Sequence, residues 1–130
     1  MGALLLDTTV LIDALRGRPA ADRLRVLRAR GDDPYVCAVN IEEIHRGLRE
    51  TELAAATLLF RGLRVVPLTA HEGARAGEWR RHYAAAGITL SQADCLVAAA
   101  AFTLGGRLAT GNPKDFPLPE LTVEHWPVGQ

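Results

Sequence analysis

The sequence predicts an α/β fold: a three-layer α/β/α sandwich with a short, mostly parallel β-sheet. Two observations lead to this prediction. Short apolar segments alternate with longer amphipathic segments along the whole chain, which is typical of βα units. No internal repeat, low-complexity stretch or change of composition divides the 130 residues, so a single domain is predicted over residues 1–130.

The first predicted strand is the apolar run at residues 3–6, which is too short for a helix and leads directly into Asp7. Asp7 therefore stands at the carboxyl end of a strand, where open α/β sheets bind their ligands. Other short apolar segments are also predicted to be strands, the last of them at an edge of the sheet. They are residues 35–39, 63–66, 107–109 and 121–126.

Helices are predicted between these strands from apolar spacing and from residues that favour helix ends. Asn40 is expected to cap the third helix, with Glu43 three residues later as in a capping box. The last helix is apolar nearly all round, so it should be buried, in part at a subunit interface. The predicted helices cover about residues 10–15, 19–30, 41–48, 51–60, 70–85 and 92–104.

Composition and charge exclude several classes of protein. The formal net charge is +0, so overall charge does not indicate a nucleic-acid partner. Cys37 and Cys95 lie in neither a disulfide framework nor a zinc pattern and are expected to be small buried hydrophobes. The apolar start is too short for a signal peptide, and no run has the length of a membrane span. A cytoplasmic location is expected.

Four carboxylates stand where predicted strands or loops end or helices begin: Asp7, Glu43, Asp94 and Asp115. If the strands are parallel, all four lie at one edge of the sheet. Carboxylates that crowd together raise one another's pKa, and a hard divalent cation relieves their repulsion. Mg²⁺ prefers a few carboxylates plus water, which leaves coordination positions open for phosphate oxygens. The sequence therefore predicts a metal site at this edge.

Each acid except Asp7 also has a simple structural explanation. Asp94 is able to complete a capping box with Ser91, and Glu43 with Asn40. Asp115 fits a turn. Asp7 is harder to explain in this way because an apolar strand leads straight into it.

The order of these motifs resembles the PIN domain, and more narrowly the VapC-type toxins of bacterial toxin–antitoxin pairs. The resemblance extends from Leu4 to about Phe116, which is nearly the whole chain. Each block is weak alone, but the order and spacing together are specific. The blocks are residues 5–13, residues 40–44 with Gly47, residues 94–99 and residues 110–116.

This resemblance implies a ribonuclease that depends on Mg²⁺ or Mn²⁺. Asp7, Glu43, Asp94 and Asp115 match the acidic quartet of the family, and Asp7 and Asp94 match its principal metal ligands. The implied reaction is attack on an RNA phosphodiester by a metal-activated water, which leaves a 5′-phosphate and a 3′-hydroxyl.

Other polar residues match supporting positions of the family. Thr9 and Thr110 match hydroxyl positions that support the acids, and Asn112 occupies the polar position of the last motif. Asn40 departs from the pattern, because the family more often has Ser or Thr at this position.

The implied partners are RNA, a cognate VapB-type antitoxin and a second copy of the chain in a homodimer. Arg46 and Lys114 flank the predicted cleft and are candidates for contacts with RNA phosphates. Trp79 and Tyr83, with the arginines between them, either stack on single-stranded RNA or simply pack at i, i+4 in a helix, and packing is favoured.

Two other functions remain open from the sequence. In the first, the fold is an inert binding module that only engages an antitoxin. In the second, Asp7 is a phosphate-accepting nucleophile, although that chemistry usually needs a second Asp two residues on, where Thr9 stands. Asp13 is expected to face solvent or to lie behind the site.

Overall fold

The computed structural model describes residues 2–129, and its centre is a five-stranded sheet in which every strand pair is parallel. The strand order is β3-β2-β1-β4-β5, so the last strand is an edge strand, as predicted. The chain leaves β1 toward β2 on one side and later crosses to β4 on the other. The strands are β1 (Ala3–Leu6), β2 (Asp33–Cys37), β3 (Arg64–Val66), β4 (Arg107–Thr110) and β5 (Thr122–His125).

Helices cover both faces of this sheet. Their positions agree closely with the spacing of apolar residues, and short 3₁₀ helices occupy Glu50–Glu52 and Pro113–Asp115. None of the helices within residues 2–129 is long and apolar enough to cross a membrane. The helices are α1 (Thr8–Leu15), α2 (Pro19–Ala29), α3 (Ala38–Gly47), α4 (Leu53–Arg61), α5 (Ala70–Ala85) and α6 (Gln92–Thr103).

The central strand β1 supplies side chains to two separate cores because successive residues of a strand point to opposite faces. Leu5 packs in the core under α5 and α6, whereas Leu4 and Leu6 pack in the core under α1 to α4. All three leucines are fully buried. This arrangement confirms the three-layer α/β/α prediction.

Helix α6 is buried by its own chain. Cys95 and the four alanines at residues 98–101 are at most 1% exposed, and α5 lies alongside. The small alanine side chains let the helix approach the sheet closely. The burial of α6 therefore gives no support to the subunit interface that its composition suggested.

The boundary between β2 and α3 differs from the prediction. The helix begins at Ala38 with Cys37 as its N-cap, so Asn40 is its third residue rather than its cap. The side chain of Asn40 turns back and accepts a hydrogen bond from the Cys37 amide at 2.9 Å. Glu43 consequently lies in the second turn, and its expected capping role with Asn40 is wrong.

Asp13 is buried rather than exposed to solvent, with 2% of its surface accessible. One carboxylate oxygen accepts the amide hydrogen of Ala20 at 2.9 Å, in the first turn of α2. The other accepts the amide hydrogen of Gly129 at 3.0 Å. Asp13 therefore caps α2 from a distance and fixes the C-terminal segment against it.

Candidate active site

Carboxylates gather where β1 and β4 end side by side, at the point where the order of the strands reverses. Asp7 follows β1, and its amide donates to the carbonyl of Ala109 in β4 at 2.9 Å. Crevices at such reversals are the usual ligand sites of open α/β sheets. The parallel sheet thus brings the expected acids toward one edge.

Asp7 is held through one oxygen only. It is the N-cap residue of α1 and 6% exposed, yet its carboxylate makes no capping bond. Its Oδ2 accepts the hydroxyl hydrogens of Thr9 at 2.9 Å and of Thr110 at 2.8 Å. The positive end of the α1 dipole also favours a negative charge here. These contacts orient the carboxylate and leave Oδ1 available for a ligand.

The same two threonines shape the loop that follows β4. The amide of Gly111 donates to Thr9 Oγ1 at 2.9 Å, and the amide of Asn112 donates to Thr110 Oγ1 at 3.0 Å. The Asn112 side chain donates to Asp115 Oδ2 at 2.7 Å. Asp115 itself is exposed in a short 3₁₀ helix. The loop is therefore built around the threonine hydroxyls that hold Asp7.

Glu43 reaches the site from the second turn of α3. Its Oε1 accepts the Thr8 hydroxyl at 2.7 Å, and Thr8 Oγ1 in turn accepts the Asn40 side-chain amide at 3.1 Å. Its Oε2 lies 4.0 Å from the guanidinium of Arg46. The side chain is 26% exposed, so it is partly open to solvent.

Asp94 shows that the four acids share one electrostatic environment. Partial burial is the largest cause that raises its pKa, and the negative charges of Asp115, Asp7 and Glu43 raise it further. Hydrogen bonding to Ser91 opposes this rise. Ser91 is also the N-cap of α6, where its hydroxyl accepts the Asp94 amide at 3.1 Å. The charges of all three other carboxylates therefore act on Asp94 in the same direction.

The donors fit a hard divalent cation in their chemistry. All four side chains offer carboxylate oxygens, the ligands that Mg²⁺ and Mn²⁺ prefer, and their mutual repulsion favours a cation. Within residues 2–129, however, no three His, Cys, Asp or Glu side chains stand close enough together to hold a metal ion as they are placed. The acids converge on one rim without forming a closed coordination shell.

The other candidate residues fall into two groups. Trp79 is 6% exposed and donates to Glu120 at 2.8 Å, and the Tyr83 hydroxyl donates to the Pro117 carbonyl at 2.7 Å, so both aromatics pack as favoured. Arg46 and Lys114 are exposed. Both remain candidates for contacts with RNA, because each lies within three residues of a candidate acid.

The contacts of Thr8 and the capping role of Cys37 were not predicted from the sequence. The adjacent hydroxyls after Asp7 were visible in the sequence, but only the structure shows that Thr8 turns toward α3 instead of toward β4. Cys37 and Cys95 are free and buried, as predicted, and burial raises the pKa of both thiols.

An open parallel sheet with acids at the reversal of strand order defines a class of α/β domains, and comparison with known families identifies which one. The PIN domain family matches residues 4–117. The chain belongs to the PIN domain family.

Known relatives agree with this assignment. Ribonuclease VapC19 of Mycobacterium tuberculosis is 35% identical over 120 residues, covering 90% of this chain and 95% of the relative. Ribonuclease VapC10 of the same organism is 36% identical over 116 residues, covering 88% and 86%. Among solved structures, VapBC2 from Rickettsia felis bound to a promoter DNA fragment superposes with a TM-score of 0.85 at 22% identity. That match covers 95% of this chain and 98% of the other and confirms the fold.

Proposed function

We propose that this protein is a metal-dependent endoribonuclease that acts as the toxin of a toxin–antitoxin pair in the cytoplasm. The observation that carries the proposal is the Asp7 carboxylate, which Thr9 and Thr110 orient where β1 and β4 end side by side in a PIN fold. The names of the related ribonucleases VapC19 and VapC10 support the same reaction.

Asp7 and Asp94 are the proposed principal ligands of Mg²⁺ or Mn²⁺, with Asp115 close by and Glu43 orienting the attacking water or holding a second ion. When bound, the cation lowers the pKa of coordinated water and neutralises charge on the scissile phosphate. Thr9 and Thr110 fix the Asp7 carboxylate for this task through its Oδ2. The expected products carry a 5′-phosphate and a 3′-hydroxyl.

Arg46 and Lys114 are the proposed contacts to the RNA backbone. Lys114 precedes Asp115 directly, and Arg46 lies beside Glu43, with its side chain 68% exposed. Cationic side chains at the rim offset the negative charge that the acids present to an incoming phosphate.

Two protein partners complete the proposal. Solved neighbours of the fold are VapBC complexes, which supports a VapB-type antitoxin as partner.

A homodimer is proposed at the groove of about 330 Å³ between α3 and α6, where Val39 and Leu96 are only partly buried. Sedimentation of the purified chain at several concentrations tests the dimer.

Cleavage mapping tests the activity. Total RNA is incubated with the purified protein in Mg²⁺, and the new 5′ ends are sequenced for the wild type and Asp7→Asn. New ends bearing 5′-phosphate are expected only for the wild type and only without EDTA. Asp33→Asn is the matched control, because Asp33 is exposed at the start of β2, at the opposite end of the strands from the candidate acids. Equal patterns for wild type and Asp7→Asn would leave an inert binding module as the better account.

A further inference from the structure

Thr8 and Thr9 are adjacent in the first turn of α1, yet their hydroxyls hold two different acids. Thr9 donates to Asp7 Oδ2 at 2.9 Å, whereas Thr8 donates to Glu43 Oε1 at 2.7 Å. The contact of Thr8 joins α1 to α3 across 35 residues of sequence. One helix start therefore orients carboxylates that come from separate segments of the chain.

Asn40 determines the direction of the Thr8 contact. Its side chain is fully buried, and its Oδ1 accepts the Cys37 amide at 2.9 Å. The remaining amide nitrogen donates to Thr8 Oγ1 at 3.1 Å. An amide nitrogen only donates, so the oxygen of Thr8 accepts there and its single hydrogen is directed to Glu43.

We infer that Asn40 and Thr8 form a positioning relay that presents Glu43 to the cleft through Oε2. This inference rests on the proposed function. The relay occupies Oε1, and Oε2 is left facing Arg46 at 4.0 Å. Thr8 contacts Glu43 directly and Asn40 acts on it through Thr8, so both are positioning residues.

The relay matters because Glu43 is a long side chain in a partly open site. A free glutamate samples many rotamers, and ordering it costs entropy that the Thr8 contact offsets. Partners that orient a metal-binding carboxylate typically change metal affinity or activity by about 10–100-fold when removed. Asn40 stands where related sequences were expected to carry Ser or Thr, so this chain reaches the hydroxyl of Thr8 with a buried amide instead.

A double-mutant cycle tests the relay. Thr8→Val, Thr8→Ser, Glu43→Ala and the double variant Thr8→Val/Glu43→Ala are compared for RNA cleavage and for Mn²⁺ binding by calorimetry. Thr8→Val is expected to lower kcat about 10-fold or more with little change in KM and to weaken Mn²⁺ binding. Thr8→Ser keeps the hydroxyl and should restore both. In the Glu43→Ala background, Thr8→Val should have no further effect.

A second variant and a control extend the test, and urea unfolding of each variant shows whether a loss of activity comes from a loss of folding. Asn40→Asp still accepts from the Cys37 amide but no longer donates to Thr8, so it should reproduce the loss seen in Thr8→Val. Thr57→Val removes a hydroxyl that bonds the Leu53 carbonyl on exposed α4, and it should leave cleavage and Mn²⁺ binding unchanged.

Additive losses in Thr8→Val/Glu43→Ala, or an Asn40→Asp variant as active as the wild type, would overturn the relay. Failure of the proposed function is distinguishable from this result, because then the wild type itself would cleave RNA no better than Asp94→Asn. Mn²⁺ binding provides the readout that does not depend on turnover.

Discussion

The hydroxyl of Thr110 donates a 2.8 Å hydrogen bond to Asp7 Oδ2, joining two residues that are 103 positions apart in sequence. Thr110 is fully buried and ends β4, while Asp7 follows β1 next to it. The contact forms because the chain crosses from one side of the sheet to the other and places these two strands side by side. It ties the first acid of the site to the loop that carries the last.

Thr110→Val should lower RNA cleavage about 10–100-fold, because Asp7 loses one of the two hydroxyls that orient it. The amide of Asn112 also loses its acceptor, so a stability loss of about 1–3 kcal/mol is expected. Cleavage rates and urea unfolding measure the two effects. Thr110→Ser should recover most of the activity. A Val variant with wild-type cleavage would show that this contact does not orient Asp7.

Gly111→Ala should disturb the site through a steric clash. An added Cβ would lie 2.7 Å from Val128 Cγ2 and 3.3 Å from Thr9 Oγ1. Overpacking of this kind typically costs about 1–3 kcal/mol. The thermal midpoint and the cleavage rate should both fall, and Val128→Ala in the same chain should restore much of each. Persistence of the full defect in the double variant would contradict the steric explanation.

Asp13→Ala should destabilise the fold by about 3 kcal/mol, because two backbone amides lose a charged acceptor. Those amides belong to Ala20 and Gly129, which are remote from each other in sequence. Chemical denaturation measures the loss. The exposed Asp33 provides the comparison, since Asp33→Ala should shift stability by less than about 0.5 kcal/mol. Equal effects at the two positions would show that the two hydrogen bonds of Asp13 do not stabilise the fold.

Glu72 should make the fold sensitive to acid. Hydrogen bonds from the hydroxyl of Thr103 first, and then from Thr69, lower its pKa to about 2 from 4.5. A carboxyl whose pKa is depressed in the folded state adds stability above its unfolded pKa and loses it as the pH falls toward the folded value.

Unfolding free energy should therefore drop by about 2–3 kcal/mol through Glu72 between about pH 5 and pH 2. Urea titrations across this range measure the slope. Glu72→Gln should be less stable at neutral pH and should show a shallower slope. The same slope in both proteins would mean that other carboxylates dominate the acid sensitivity.

The spacing of apolar residues, together with the residues that favour the ends of helices and strands, was sufficient to predict the order of strands and helices along the chain. The apolar run before Asp7 predicted a buried strand, and Ser91 caps α6 by accepting the Asp94 amide, in line with the expected capping pattern. The alternation of strands with helices predicted a mostly parallel sheet but not the order of its strands. The positions of strands and helices depend mainly on residues that are close together in the sequence, so the sequence pattern predicts them.

Contacts between distant segments were beyond prediction from the sequence. Asn40 is a residue type that favours helix caps, but β2 pairs with its neighbours up to Cys37, and α3 begins three residues earlier than predicted, at Ala38. Asp13 was expected to face solvent or to lie behind the site, and its contact with the C-terminal segment was not predicted because nothing in the sequence places Gly129 beside α1. The split roles of Thr8 and Thr9 likewise depend on where α3 and β4 lie.

We propose that carboxylates from four segments of the chain act together on RNA through a divalent cation. The most direct measurement is the initial rate of RNA cleavage by the purified protein at increasing Mg²⁺, for the wild type and for Asp94→Asn. We expect a saturable Mg²⁺ dependence for the wild type, no cleavage in EDTA, and a rate at least about 1000-fold lower for Asp94→Asn. Cleavage that continues undiminished in EDTA, or in Asp94→Asn, would contradict it.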